Sequence, residues 1–124
     1  MTASVKQMIE AADMAVPRIT PARATELIAR GNTLVIDVRD PPEADRTGRI
    51  AGAVNVSRGM LEFRADPTST YHDKNFEPSR TLILYCASGG RSALGGKTLK
   101  DMGYREVYNL GAFKAWVDSG GSIE

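Results

Sequence analysis

The run Thr81-Leu82-Ile83-Leu84-Tyr85 is uncharged and apolar, and it leads directly into Cys86-Ala87-Ser88-Gly89-Gly90-Arg91-Ser92. An apolar run of that length predicts a buried central strand. The two glycines predict a sharp turn, and the spacing from Ser92 to Met102 predicts a helix. A strand, a short glycine-rich loop and a helix in succession constrain the chain to an α/β fold. The loop then lies at the carboxyl edge of the sheet, where such folds keep their sites. Successive backbone N–H groups in such a loop, backed by the positive end of a helix, form a nest for an anion. The first residue of this nest is Cys86, the one cysteine of the chain. A thiolate there gains from the nest, the helix terminus and Arg91, each of which depresses a thiol pKa. A lone cysteine after a buried strand is more commonly a small core hydrophobe. A core cysteine has no use for an anion cradle, so the loop reads as a candidate active site with Cys86 as its nucleophile.

The rest of the chain supplies a frame for that loop. Ser4-Val5-Lys6-Gln7 has the form of a capping box, and Val5, Met8, Ile9 and Ala12 recur at helical spacing. The helix they predict runs to about Ala15, ahead of Pro17, and makes residues 1–16 an N-terminal helical extension of a domain spanning 17–124. Its expected role is packing, with a contact surface as the alternative. Arg18-Ile19 is a candidate short strand. Thr20 and Pro21 open a second helix, with Leu27 and Ile28 on its buried face and Gly31 as its stop. Residues 33–39 read as a parallel strand, apolar and β-branched on both faces, ending in Asp37, Arg39 and Asp40 before Pro41-Pro42. Charges at such a place are commonly structural ion pairs, and Arg39 with Glu43 is the expected one.

A turn and a short strand follow over 48–56, then a weakly helical stretch over 57–64 carrying Met60, Leu61 and Phe63. Residues 65–80 are polar and irregular and predict a surface loop, with room for one helical turn. In the helix after the active loop, Leu94, Leu99 and Met102 are expected to face the sheet. Gly95-Gly96 within it costs about 1 kcal/mol each against alanine, which close helix-on-sheet packing would offset. Gly103 ends that helix, Glu106 to Leu110 forms the last strand, and 111–117 closes the domain as a helix anchored by Phe113 and Trp116. Strands alternating with helices predict a three-layer α/β domain around a mainly parallel sheet.

Composition narrows the function. At 124 residues the chain is one domain's worth. A net charge of +1 gives no argument for nucleic acid or an anionic membrane surface. No stretch has the length of a transmembrane helix. Lys6, Glu10 and Asp13 stand where a signal peptide needs its apolar region, so a cytoplasmic location is expected. One cysteine excludes an internal disulfide and a cysteine-rich metal site, and one histidine, His72, argues against zinc. No metal or organic cofactor is expected.

Three separate motifs resemble the rhodanese family in its single-domain form. Leu34 to Arg39 with Glu43, followed by Gly48-Arg49-Ile50-Ala51-Gly52-Ala53-Val54-Asn55, is similar to the family's first signature. Cys86 to Ser92 is similar to its catalytic loop, and Gly111-Ala112-Phe113-Lys114-Ala115-Trp116 to its closing helix motif. The likeness covers roughly Ile19 to Val117. Arg49 stands where the family often has histidine, a position read as structural or surface.

The resemblance implies a rhodanese-like fold and sulfur transfer. Cys86 would take the outer sulfur of an anionic donor such as thiosulfate and hold it as a persulfide. Backbone N–H groups from Ala87 through Ser88, Gly89, Gly90 and Arg91 to Ser92 would cradle it. A thiophilic acceptor, cyanide or a thiol, would then remove it, and a protein acceptor is compatible with the same chemistry. Ser88 offers a hydroxyl to the persulfide or caps the turn. Arg91 either attracts the donor or pairs with a carboxylate, and Arg58 is a further candidate for donor binding. Two alternatives share the fold: a phosphatase or arsenate reductase, and a sulfur-carrier or protein-interaction module. The phosphatase loop is one residue longer than the six from Cys86 to Arg91, and no general acid is identifiable.

Overall fold

Four parallel strands carry the molecule, in the order β2-β1-β3-β4, with β1 spanning Thr33–Asp37, β2 Val54–Asn55, β3 Thr81–Cys86 and β4 Glu106–Ala112. The structure is a computed structural model describing residues 2–124. Helix α1 spans Val5–Ala15, α2 Pro21–Arg30, α3 Pro41–Thr47, α4 Leu61–Ala65, α5 Gly90–Asp101 and α6 Phe113–Asp118, with a 3₁₀ turn at Arg58–Met60. The expected α/β architecture, a parallel central sheet flanked by helices, is therefore present. Among the described residues no helix is long and apolar enough to cross a membrane.

The strand pleat divides the core in two. Leu34 and Ile36 of β1 and Leu82, Leu84 and Cys86 of β3 face the layer of α1, α4 and α5, with Val16, Leu61 and Leu99. Val35 of β1 and Ile83 and Tyr85 of β3 face α2 and α6, where Ala24, Leu27, Phe113 and Trp116 complete the second core. Successive apolar residues are thus both buried, as a parallel sheet covered on each side requires.

The capping box at Ser4 and Gln7 opens α1, which lies along α5. Gly95 and Gly96 allow that approach. A methyl group on Gly95 would sit 2.9 Å from Leu61 Cδ2 and 3.2 Å from Leu84 Cδ2, and one on Gly96 would sit 3.0 Å from Val16 Cγ1. The close packing expected of helix on sheet therefore extends to α1 and α4.

Several expectations change in detail. Helix α5 begins at Gly90 and buries Ser92, Ala93, Gly95, Gly96 and Leu99. Leu94 lies half-buried on its flank, and Met102 is 38% exposed at its end. Leu99 is buried as expected, and the glycine pair rather than Leu94 lines the rest of the buried stripe. In α2, Leu27 is buried and Ile28 is 38% exposed. Strand β1 stops at Asp37 rather than Arg39. Arg18 forms an isolated parallel bridge with Asn109, so the 18–19 segment edges the sheet beside β4. After Ala65 closes α4, residues 66–80 form turns and irregular chain, held to the core by Phe76, which packs edge-on against Tyr104.

The predicted Arg39–Glu43 pair does not form. Arg39 turns back on its own strand, Nε donating to Asp37 Oδ1 at 2.9 Å and Nη2 to Oδ2 at 2.7 Å. Glu43 instead reaches Arg91. A buried carboxylate two residues away offers a bidentate, water-free partner, and the half-exposed Glu43 cannot compete with it.

Candidate active site

Strands β1 and β3 are neighbours, and the chain leaves β1 for one side of the sheet and β3 for the other. The crevice outside their carboxyl ends is the switch point at which open α/β sheets bind ligands. Cys86 is the last residue of β3, and the loop to α5 crosses that crevice.

The cysteine is fully buried, on the α5 side of the sheet. Gly89 N–H donates to its Sγ at 3.0 Å, and Ser92 Oγ lies 3.5 Å away. Burial pushes the thiol up, as it does any group that must take on charge. The Ser92 hydroxyl and the backbone N–H groups of Ser92, Gly89 and Ser88 outweigh it, leaving the thiol below its ordinary value. Of the predicted cradle, Ser88, Gly89 and Ser92 thus act on the sulfur. Ala87 and Ser88 are exposed at the loop's outer edge. Gly90 is the first residue of α5, and a methyl group there would lie 3.4 Å from Ile9 Cδ1.

Gly89 is required by its backbone, with φ +101, a left-handed conformation that side chains resist. A side chain would also meet Arg18 Nη1 at 2.7 Å and Gly111 Cα at 3.3 Å.

Behind the loop stands a residue that sequence reasoning missed. A β-bulge in the β3–β4 pairing sets Asn109 opposite Leu84 and Gly111 opposite Tyr85. Buried Asn109 accepts from Ser92 Oγ at 2.7 Å and from Gly111 N–H at 2.9 Å, and its Nδ2 donates to Gly89 O at 3.2 Å. It therefore holds both ends of the turn that shapes the thiol's surroundings. A polar residue within the predicted strand 106–110 was the available signal, since a buried asparagine needs specific partners.

The two other predicted site residues are engaged elsewhere. Arg91 donates to Glu43 through Nη1 at 2.8 Å and Nη2 at 2.9 Å. Its hydrogen bonds hold Glu43 down at about 2, against 4.5 ordinarily, and Glu43 raises Arg91 in turn. Of the two roles open to Arg91, the structure contains the carboxylate pairing, which ties α5 to α3. The Arg58 guanidinium bonds Glu62 at 2.8 Å and Thr98 Oγ1 at 3.0 Å, two turns along α5, and is not brought to the Cys86 loop. Arg49 pairs its backbone with Glu124. Among the described residues no cluster of three or more metal-ligating side chains forms.

Known proteins are similar to this chain in sequence and in fold. A protein from Rhodopseudomonas palustris CGA009, described as a possible tyrosine phosphatase, has a solved structure 40% identical in sequence, with a TM-score of 0.92, covering 100% of this chain and 96% of that one. The uncharacterized protein YqhL of Bacillus subtilis is 36% identical over 91 residues, 73% of this chain and 63% of that protein. The chain thus spans less than two thirds of that relative's length. The thiosulfate sulfurtransferase GlpE of Coxiella burnetii is 28% identical over 100 residues, 80% of this chain and 85% of that one. Residues 20–119 match the rhodanese-like domain, and the chain belongs to that family.

Proposed function

We propose that the protein is a sulfurtransferase that carries a sulfane sulfur as a Cys86 persulfide, with thiosulfate or a similar anion as donor. The observation that carries this reading is the Cys86 thiol itself, held below its ordinary value by Gly89, Ser92 and Ser88. The thiolate attacks the outer sulfur of thiosulfate. A sulfur–sulfur bond forms on Cys86, the bond within thiosulfate breaks, and sulfite leaves with the electron pair. Cyanide or a thiolate then attacks the terminal sulfur and the Cys86 thiolate is restored. The two half-reactions give ping-pong kinetics. Ala87 and Ser88, the exposed members of the loop, are the ones an incoming donor meets first. The likeness to a thiosulfate sulfurtransferase supports the donor class. A thiol on a partner protein is a second candidate acceptor.

The test is intact mass after thiosulfate and again after cyanide. One sulfur should be gained, then lost, and Cys86→Ser should gain none while keeping its fold. No gain in the wild type removes thiosulfate as donor.

Phosphate-ester hydrolysis is the second reading, favoured by the description of the R. palustris protein. Against it, Arg91 is already paired with Glu43, and the buried Asp37 is held by Arg39 and Tyr85 rather than free to protonate a leaving group. Hydrolysis of an aryl phosphate that is lost in Cys86→Ser would favour it over sulfur transfer.

A further inference from the structure

An anionic donor approaching a thiolate must be drawn in against repulsion between like charges. The arginines near the sheet's carboxyl edge differ in what they have left to offer. Arg39, Arg58 and Arg91 are paired with Asp37, Glu62 and Glu43. Arg18 is exposed, and among the described residues no carboxylate lies within ion-pair distance of it. Its backbone position is set by the sheet, with Ile19 N–H donating to Asn109 O at 3.1 Å and Asn109 N–H to Pro17 O at 2.9 Å.

From that edge the Arg18 side chain crosses β4 to the catalytic loop. Methyl groups built on Gly89 and Gly111 would lie 2.7 Å from Nη1 and 3.2 Å from Nη2 respectively, so the guanidinium lies against the bare backbone of both glycines. Gly89 is the residue whose N–H meets Cys86 Sγ at 3.0 Å. Followed through the Gly89 backbone, these contacts bound the separation of Arg18 Nη1 from Sγ at about 9 Å. A dianion of thiosulfate's size spans that gap. A guanidinium with one face on protein is partly desolvated already and presents planar donors suited to oxyanions.

We infer that Arg18 binds the oxyanion end of the sulfur donor and aims its outer sulfur at Cys86, making the site selective for anionic sulfane-sulfur donors. The identity of the donor rests on the sulfur-transfer reading, whereas the anion site beside Cys86 does not. Gly89 and Gly111 are then small for a second reason, since a side chain on either would displace the guanidinium.

The test compares wild type, Arg18→Gln and Arg18→Lys in two ways: the rate of persulfidation by thiosulfate, and Cys86 alkylation by iodoacetate against neutral iodoacetamide. Arg18→Gln should slow persulfidation about tenfold and lower the iodoacetate-to-iodoacetamide ratio similarly, the ordinary reach of one unscreened cation. Arg18→Lys, which keeps the charge, should retain most of both, and iodoacetamide alone should react alike with all three. An alkylation ratio unchanged in Arg18→Gln overturns the assignment. A wild type that thiosulfate leaves unmodified, with an alkylation ratio that falls in Arg18→Gln, sinks thiosulfate as donor and upholds the anion site.

Discussion

Tyr85 and Cys86 are consecutive in β3, yet the strand sends them to opposite faces and into opposite kinds of chemistry. Tyr85 accepts from Ile50 N–H and donates to Asp37 Oδ2, both at 3.0 Å, and Asp37 is held bidentately by Arg39. Arg39 stacks over Phe113, 4.4 Å from its ring centre, and also donates to Thr47 Oγ1 and Gly48 O. Every polar atom there has a partner within the protein, and the Tyr85 hydroxyl is pushed up, chiefly by burial. On the other face, the donors converge on a sulfur whose one strong contact is a single N–H. Both clusters are buried and polar. One is closed and structural, the other leaves a thiol with a single close donor.

Breaking the closed side should have the largest effect on stability. Arg39→Ala leaves the Asp37 carboxylate buried and unpaired, and should destabilise the fold by about 3–5 kcal/mol in urea unfolding. Iodoacetamide reactivity of Cys86 in the folded fraction should hold. A parallel loss of reactivity would mean that the two faces are coupled.

On the open side, Ser92→Ala removes a hydroxyl that favours the thiolate. The pH at which Cys86 reaches half-maximal alkylation should rise, because the thiolate loses a hydrogen-bonding partner that lowers the thiol. An unmoved profile would assign Ser92 to holding Asn109 alone.

The tie between the β1 and β3 loops should show the smallest effect. Arg91 depresses Glu43 to about 2 from 4.5, so the pair's contribution is complete above pH 4.5 and is lost as pH falls toward 2. In Glu43→Gln that acid-dependent loss should vanish, with a stability change within about 1 kcal/mol because both side chains are partly exposed. An unchanged acid profile would place the stabilisation elsewhere.

Much of this was legible in the chain. The apolar runs at 33–38 and 81–85, the Thr20-Pro21 and Ser4–Gln7 caps, and the glycines at 89, 90, 95 and 96 are local signals that the fold obeys. The position of Cys86 was legible too, because a strand end, a turn and a helix start are themselves local. Pairing was not. Arg39, Glu43 and Arg91 carry the same charges whichever partner they take, and choosing among them needs distances across 48 residues of sequence. That Arg58 turns to Glu62 and Thr98 was hidden for the same reason: proximity to a strand end does not say which way a long side chain turns.

The sequence alone therefore determined the α/β class, the parallel sheet and the cysteine at its carboxyl edge, since periodicity and turn chemistry act over a few residues. Only the tertiary structure decided what surrounds that cysteine. A one-residue bulge in β4 turned Asn109 onto the loop, and the edge bridge at Arg18 laid a guanidinium beside it. Both depend on strand register, which is settled by the packing of the whole sheet rather than by any stretch within it.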